Sequence, residues 1–143
     1  MSGKLHSITT EDVNEIKRHK TSENCIIFLS GPSSLKTPLS LLAASDVIAV
    51  NGSARYLLDN NIRPFIYVLT DSRFSLQRND DFREFMKKSK YAIVNGEVYD
   101  RASEEDKRYI DDHGFVIRSL YQREKGSLRK LSSPLRRNWT TKS

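Results

Sequence analysis

The stretch C-I-I-F-L-S-G-P-S-S-L-K-T-P, Cys25 to Pro38, carries the reading that decides the fold. Five apolar residues run unbroken from Cys25 to Leu29 and meet Ser30-Gly31-Pro32-Ser33-Ser34. A short apolar run closed by Gly-Pro predicts a buried strand ending in a tight loop. If that strand is parallel to its neighbours, the loop lies at the sheet edge where α/β proteins bind ligands. The glycine allows close backbone approach, and the serines bring hydroxyls beside free N–H groups, which suits a phosphate. A Gly-Pro that merely turns the chain fits the same residues.

The unit repeats outward from there. Asp46–Val50 ends in Asn51-Gly52-Ser53, Phe65–Leu69 in Thr70-Asp71-Ser72-Arg73, and Tyr91–Val94 in Asn95-Gly96, while Phe115–Ile117 follows Gly114. Helix-compatible segments fill the gaps: Leu39 to Ala43, Ala54 to Asn60, a helix capped by Asp80 or Asp81 carrying Phe82, Phe85 and Met86, and one opened by Ser103. Upstream, Thr9 or Thr10 with Glu11 and Asp12 opens a helix that turns Val13 and Ile16 inward. Antiparallel hairpins would not need such connections, and alternation is missing from the strands, as expected when helices cover both faces. The pattern predicts an α/β fold: a Rossmann-like parallel sheet of about five strands with covering helices. Residues 1–126 form one domain in this reading. Residues 127–143, with Pro134 and many polar side chains, form a basic flexible tail.

The 143 residues are enough for one domain with a true core. The net charge of +6 is confined to residues 125–143, where Lys125, Arg129, Lys130, Arg136, Arg137 and Lys142 meet no acid; residues 1–124 are balanced. The high isoelectric point is thus a property of the tail, and no nucleic-acid face is expected on the domain. There is no apolar run near the ~20 residues that span a bilayer and no secretory leader, so a cytoplasmic location is expected. Cys25 reads as a core residue. His6, His19 and His113 lack metal-ligand spacing, and neither Gly-x-Gly-x-x-Gly nor a Walker loop occurs, so no metal, NAD or ATP is expected.

Chemistry concentrates where three successive strands end in small polar residues, since parallel strands bring those endings to one edge. Ser30, Gly31, Pro32, Ser33 and Ser34, with Asn51, Gly52 and Ser53, are the candidates for a nucleotide; Asp71 adds a carboxylate at the rim. Plainer readings stand beside these. Asn51-Gly52 and Asn95-Gly96 are common turn dipeptides, and Asp71 fits equally as a helix cap or a partner of Arg73 or Arg78. Arg101, Arg108, Arg118 and Arg123 suit an acidic partner or a solvated face alike.

F-L-S-G-P-S-S-L-K-T-P-L-S, D-V-I-A-V-N-G-S and R-P-F-I-Y-V-L-T-D-S-R-F, in that order, resemble the lipopolysaccharide core biosynthesis proteins that attach a third Kdo (3-deoxy-D-manno-octulosonic acid) sugar. The likeness continues through Tyr121-Gln122-Arg123-Glu124-Lys125-Gly126. More distantly, the Gly-Pro-Ser loop and the Asn ending the second strand resemble bacterial CMP-sugar-dependent sialyltransferases. The resemblance implies a CMP-Kdo donor, a Kdo-containing lipid A acceptor and work at the cytoplasmic face of the inner membrane. It implies that Gly31, Pro32 and Ser33 form the nucleotide loop, that Asn51 meets the CMP portion, and that Asp71 lies near the donor sugar. Ser30 stands where the sialyltransferases carry an asparagine. Family members continue well past residue 126, so this reading expects a truncated, inactive donor-side half; a non-catalytic nucleotide-binding module is the alternative. The basic tail is expected to touch anionic lipid weakly.

Overall fold

A computed structural model describes residues 7–118. Helix α1 (Thr10–Arg18) opens on a reciprocal cap: the Asp12 N–H donates to Thr9 Oγ1 at 3.1 Å, and the Thr9 N–H donates to the Asp12 carboxylate at 2.9 Å. Five strands follow, β1 (Cys25–Phe28), β2 (Asp46–Val50), β3 (Ile66–Leu69), β4 (Tyr91–Asn95) and β5 (Phe115–Ile117). Between them run α2 (Leu39–Ala43), α3 (Ala54–Asp59), α4 (Ser72–Gln77), α5 (Asn79–Lys88), α6 (Gly96–Arg101) and α7 (Glu104–His113). All neighbouring strands pair in parallel, in the order β1-β2-β3-β4-β5. The expected α/β fold with a parallel sheet is what the chain adopts.

The order has a consequence for the faces. Parallel crossovers are right-handed, so a sheet that grows in one direction sends its connecting helices to one side. Phe28, Val47, Ala49, Tyr67, Leu69 and Val94 accordingly share a core with Leu42 of α2, Leu57 of α3, Phe82 and Phe85 of α5, Val98 of α6 and Ile110 of α7. On the other face, Ile66 and Ile93 pack with Val13 and Ile16 of α1, together with half-buried Ile48, Val68 and Ile117. Both faces are covered, but among the described residues only α1 covers the second. Burying one such large side chain is worth roughly 1.5–3 kcal/mol, so the face covered by α2 to α7 carries most of the hydrophobic stabilisation.

Several local expectations change. The segment after β4 is a helix, not a turn, because Asn95 caps it with its side chain; after β3, Asp71 caps a helix, one of the roles open to it. Helix α5 is capped by neither Asp80 nor Asp81: it starts at Asn79 behind Arg78, which makes no side-chain cap, and both aspartates lie in its first turn, where the helix dipole favours them. Pro32–Lys36 winds into a short 3-10 helix. Cys25 is half-buried against the α1 face, and burial, with Asp46 nearby, pushes its thiol up to about 11. The predicted basic tail lies outside the described residues.

Candidate nucleotide site at the carboxyl ends of the strands

The carboxyl ends of the strands form a polar rim joined by side-chain clasps. The first involves Ser53, which is 4% exposed: its Oγ donates to the Phe28 carbonyl at 2.8 Å and accepts the Val50 N–H at 2.9 Å. One hydroxyl thereby ties the end of β1 to the end of β2. A second clasp is Asn51, whose backbone is left-handed at φ 53°, a conformation asparagine tolerates better than most residues. Its Oδ1 accepts the Thr70 N–H at 2.9 Å and the Asp71 N–H at 3.3 Å, while Nδ2 donates to Thr70 Oγ1 at 3.3 Å. Asn95 makes the third, with Oδ1 accepting the Val98 N–H at 2.9 Å and Nδ2 donating to the Thr70 carbonyl at 3.2 Å. Four adjacent strand ends are linked in series.

Against this, the loop after β1 is open. Gly31 has ordinary extended angles, φ −70° and ψ 160°, so its backbone does not require glycine. A Cβ built there meets no protein atom within 4 Å. At its two ends the turn is closed by backbone bonds, Ser34 N–H to the Gly31 carbonyl and Thr37 N–H to the Ser34 carbonyl. The hydroxyls of Ser30, Ser33 and Ser34 make no hydrogen bond among the described residues, and Ser30, Pro32 and Ser33 are exposed. Free hydroxyls at a 3-10 turn, with room above Gly31, are what a phosphate needs.

Each sequence-derived candidate therefore has a place. Ser30, Gly31, Pro32, Ser33 and Ser34 form the open arm; Asn51, Gly52 and Ser53 form a short 3-10 turn beside it, with Phe74 3.4 Å from a Cβ built on Gly52. Asp71 stands at the next strand end and does both plain jobs foreseen for it: its Oδ1 accepts the Arg73 N–H at 3.0 Å and meets Arg73 Nε at 3.4 Å. Its side chain is 40% exposed. Arg101 reaches Ser72 Oγ at 3.0 Å, and Arg118 grips both oxygens of Asp100 at 3.0 and 3.2 Å, so both guanidiniums already have partners. His19 and His113 end helices that run antiparallel to the strands, which puts them at the opposite edge. Thr70 is the rim residue that sequence reasoning passed over. Its signal was its position, the first polar residue after β3.

A cavity of about 550 Å³ lies elsewhere, toward the amino edge between α3 and α5, lined by Arg55, Asp59, Arg63, Glu84, Lys87 and Lys88 among others. Arg55 there donates to Glu84 at 2.6 Å and Asp81 at 2.8 Å. Hydrogen bonding from Arg55, then from Lys88, holds the Glu84 carboxyl below its ordinary range despite partial burial. Burial pushes Asp81 the other way, but bonds from Arg55 and Arg78 outweigh it and leave it lowered too. Arg55 and Lys88 are thus paired with carboxylates, while Arg63 donates to the Lys88 carbonyl at 2.9 Å.

Fold and rim define the class: an all-parallel α/β protein with its small polar residues gathered at the carboxyl ends of the strands. Residues 7–137 match the family described as 3-deoxy-D-manno-octulosonic acid transferase WaaZ, and the chain belongs to that family. It is 53% identical over 128 residues to a probable 3-deoxy-manno-octulosonic acid transferase of Salmonella typhimurium, covering 90% of this chain and 48% of the relative. It is 58% identical over 126 residues to a protein of the same description from Escherichia coli, covering 88% of this chain and 44% of the relative. The chain thus spans about half the length of the curated relatives it matches. No solved structure matches.

Proposed function

We propose that this chain carries the donor-binding part of a Kdo transferase acting in lipopolysaccharide inner-core assembly, with CMP-Kdo as donor and Kdo-containing lipid A as acceptor. The observation that carries the reading is the open arm from Ser30 to Ser34, beside a rim that its own side chains hold rigid. The names of the relatives supply the sugar, and the likeness of the Gly-Pro-Ser loop to CMP-sugar sialyltransferases supports the cytidine nucleotide.

In this mechanism the backbone N–H groups of Gly31 and Ser33 and the hydroxyls of Ser33 and Ser34 receive the phosphate of CMP, stabilising negative charge as the sugar departs. Pro32 sets the turn. Asn51 acts mainly by holding the end of β3 in register, and Gly52 leaves room beside it. Ser53 is buried, so it supports the loop and does not touch the ligand. Asp71 is the rim carboxylate nearest the expected sugar position and the candidate base for the acceptor hydroxyl. With both described histidines at the far edge, we propose that full transfer needs the portion of the family's chain that this one does not span. Among the described residues no helix is long and apolar enough to cross a membrane. The proposed setting is the cytoplasmic side of the inner membrane, with the basic segment 125–143 adding weak, salt-sensitive contact to anionic lipid.

Titration of the full chain with CMP, followed by amide hydrogen exchange, tests the reading. Protection is expected at residues 31–34 and 51–52, and CMP-Kdo should bind at least as tightly as CMP. Absence of protection at millimolar CMP refutes the donor site. Binding without Kdo transfer to Kdo-lipid A is the expected outcome for this chain; transfer abolished by Asp71→Asn would instead show that Asp71 completes the reaction unaided.

A further inference from the structure

The two edges of the sheet are unequal. At β5 the outer edge is occupied: Ser7 bridges Val116 in parallel, and the Ile8 N–H donates to the Val116 carbonyl at 2.7 Å. At β1 the outer edge has no strand partner among the described residues. Among the described residues, the exposed large apolar side chains other than Leu76 gather in the chain that runs from β1 through α2. Ile27 is 56% exposed, Leu29 51%, Leu35 55%, Leu39 42% and Leu41 44%, all within one stretch of chain. An open strand edge flanked by large apolar side chains is normally avoided or covered.

The winding says what kind of element would cover it. All five strands wind away from β1 in one direction. A right-handed crossover that leaves β5 and returns to pair on the far side of β1 travels the other way, so its helix falls on the opposite face. That is the face where α1 stands as the one described helix and where Ile27, Ile48, Val50 and Val68 are exposed or half-buried. The curated relatives have more than half their length outside the matched region, which is ample for such units.

We infer that the outer edge of β1 and the sheet face beneath it form a docking surface for a parallel β-strand and an amphipathic helix from the part of the family's chain that this one does not span. The added strand turns a singly wound sheet into a doubly wound one. The strand order then reverses at β1, and the Gly31–Ser34 loop lies at the switch point where such sheets hold ligands. The inference rests on edge, winding and exposure; it stands whether or not the loop binds CMP.

The test is to co-express the full chain with the segment of the Escherichia coli relative that lies beyond its matched region. A one-to-one complex is expected by light scattering, with hydrogen-exchange protection of the Cys25–Leu29 amides. Ile27→Glu with Leu29→Glu, both at exposed positions, should weaken the complex at least ten-fold while leaving the circular dichroism of the free chain unchanged. Leu76→Glu, an exposed apolar position on α4 (53%), should leave it intact. Failure of the segment to associate, or a complex indifferent to the double variant, overturns the inference. So does a homodimer that protects β1, which would make a second copy the occupant.

Discussion

Ser33 and Ser34 after β1, and Asn51 and Ser53 after β2, are the same kind of small polar residue at neighbouring strand ends. Their surroundings separate them. The Ser53 hydroxyl is buried and spends a donor and an acceptor on two different strands, while Asn51 spends its amide on Thr70 and Asp71. The hydroxyls of the serines after β1 make no hydrogen bond among the described residues. The difference teaches that this rim has two parts: one whose polar groups are used up on neighbouring strands, and one whose hydroxyls are not.

The comparison breaks most readily at Ser53. Ser53→Ala leaves the Phe28 carbonyl and the Val50 N–H without their partner in a buried place, and should cost about 2–3 kcal/mol, measured by urea unfolding. Asn51→Ala comes next, at about 2 kcal/mol, since it loses the clasp and strains the left-handed backbone. Asn51→Gly removes the strain alone and should recover about half of that loss; equal costs for Ala and Gly would show that the left-handed backbone is unimportant.

The helical layer offers a contrast in kind, because it is tied by charges where the rim is tied by neutral groups. Glu84 has a folded pKa below its unfolded value, so its contribution is complete above about pH 4.3 and is lost as pH falls through the lower folded value. Arg55→Met should flatten that acid limb of the stability curve by less than about 1 kcal/mol, given the partial exposure of the pair. Unfolding titrations between pH 3 and 6 on both chains would detect it. A Ser53→Ala chain should keep the acid limb unchanged.

The smallest expected effect on stability is the most telling for function. Gly31→Ala places a methyl group in open space and should change stability by less than about 0.5 kcal/mol, yet weaken CMP binding about ten-fold by standing where the phosphate goes. A large loss of stability, or unchanged CMP affinity, would remove Gly31 from the site.

Much of this was legible in the chain. The Cys25–Leu29, Asp46–Val50 and Phe115–Ile117 runs mark strands because a sheet covered on both faces needs apolar residues without alternation. Helices α4 and α6 were not legible as helices. Ser72 and Ser75 are the buried residues of α4, so it lacks an apolar period, and Asn95-Gly96 has the look of a turn until the Asn95 side chain is seen capping Val98. At the rim, Asp71 was read as a candidate for capping, pairing or chemistry, and its geometry satisfies the first two at once.

By itself the sequence determined the class of fold, the positions of all five strands and the gathering of small polar residues at their ends, because apolar runs and turn residues act over a few neighbours. Only the tertiary structure decided which of those polar groups are spent, which sheet edge is open among the described residues and that the winding of the five described strands does not reverse. Those depend on partners 19 to 25 residues apart, such as Ser53 with Phe28 and Asn51 with Thr70, and a local pattern carries no record of which strand lies next to which. The Cys25–Pro38 stretch was recognisable from its residues; that its serines are the unspent ones was not.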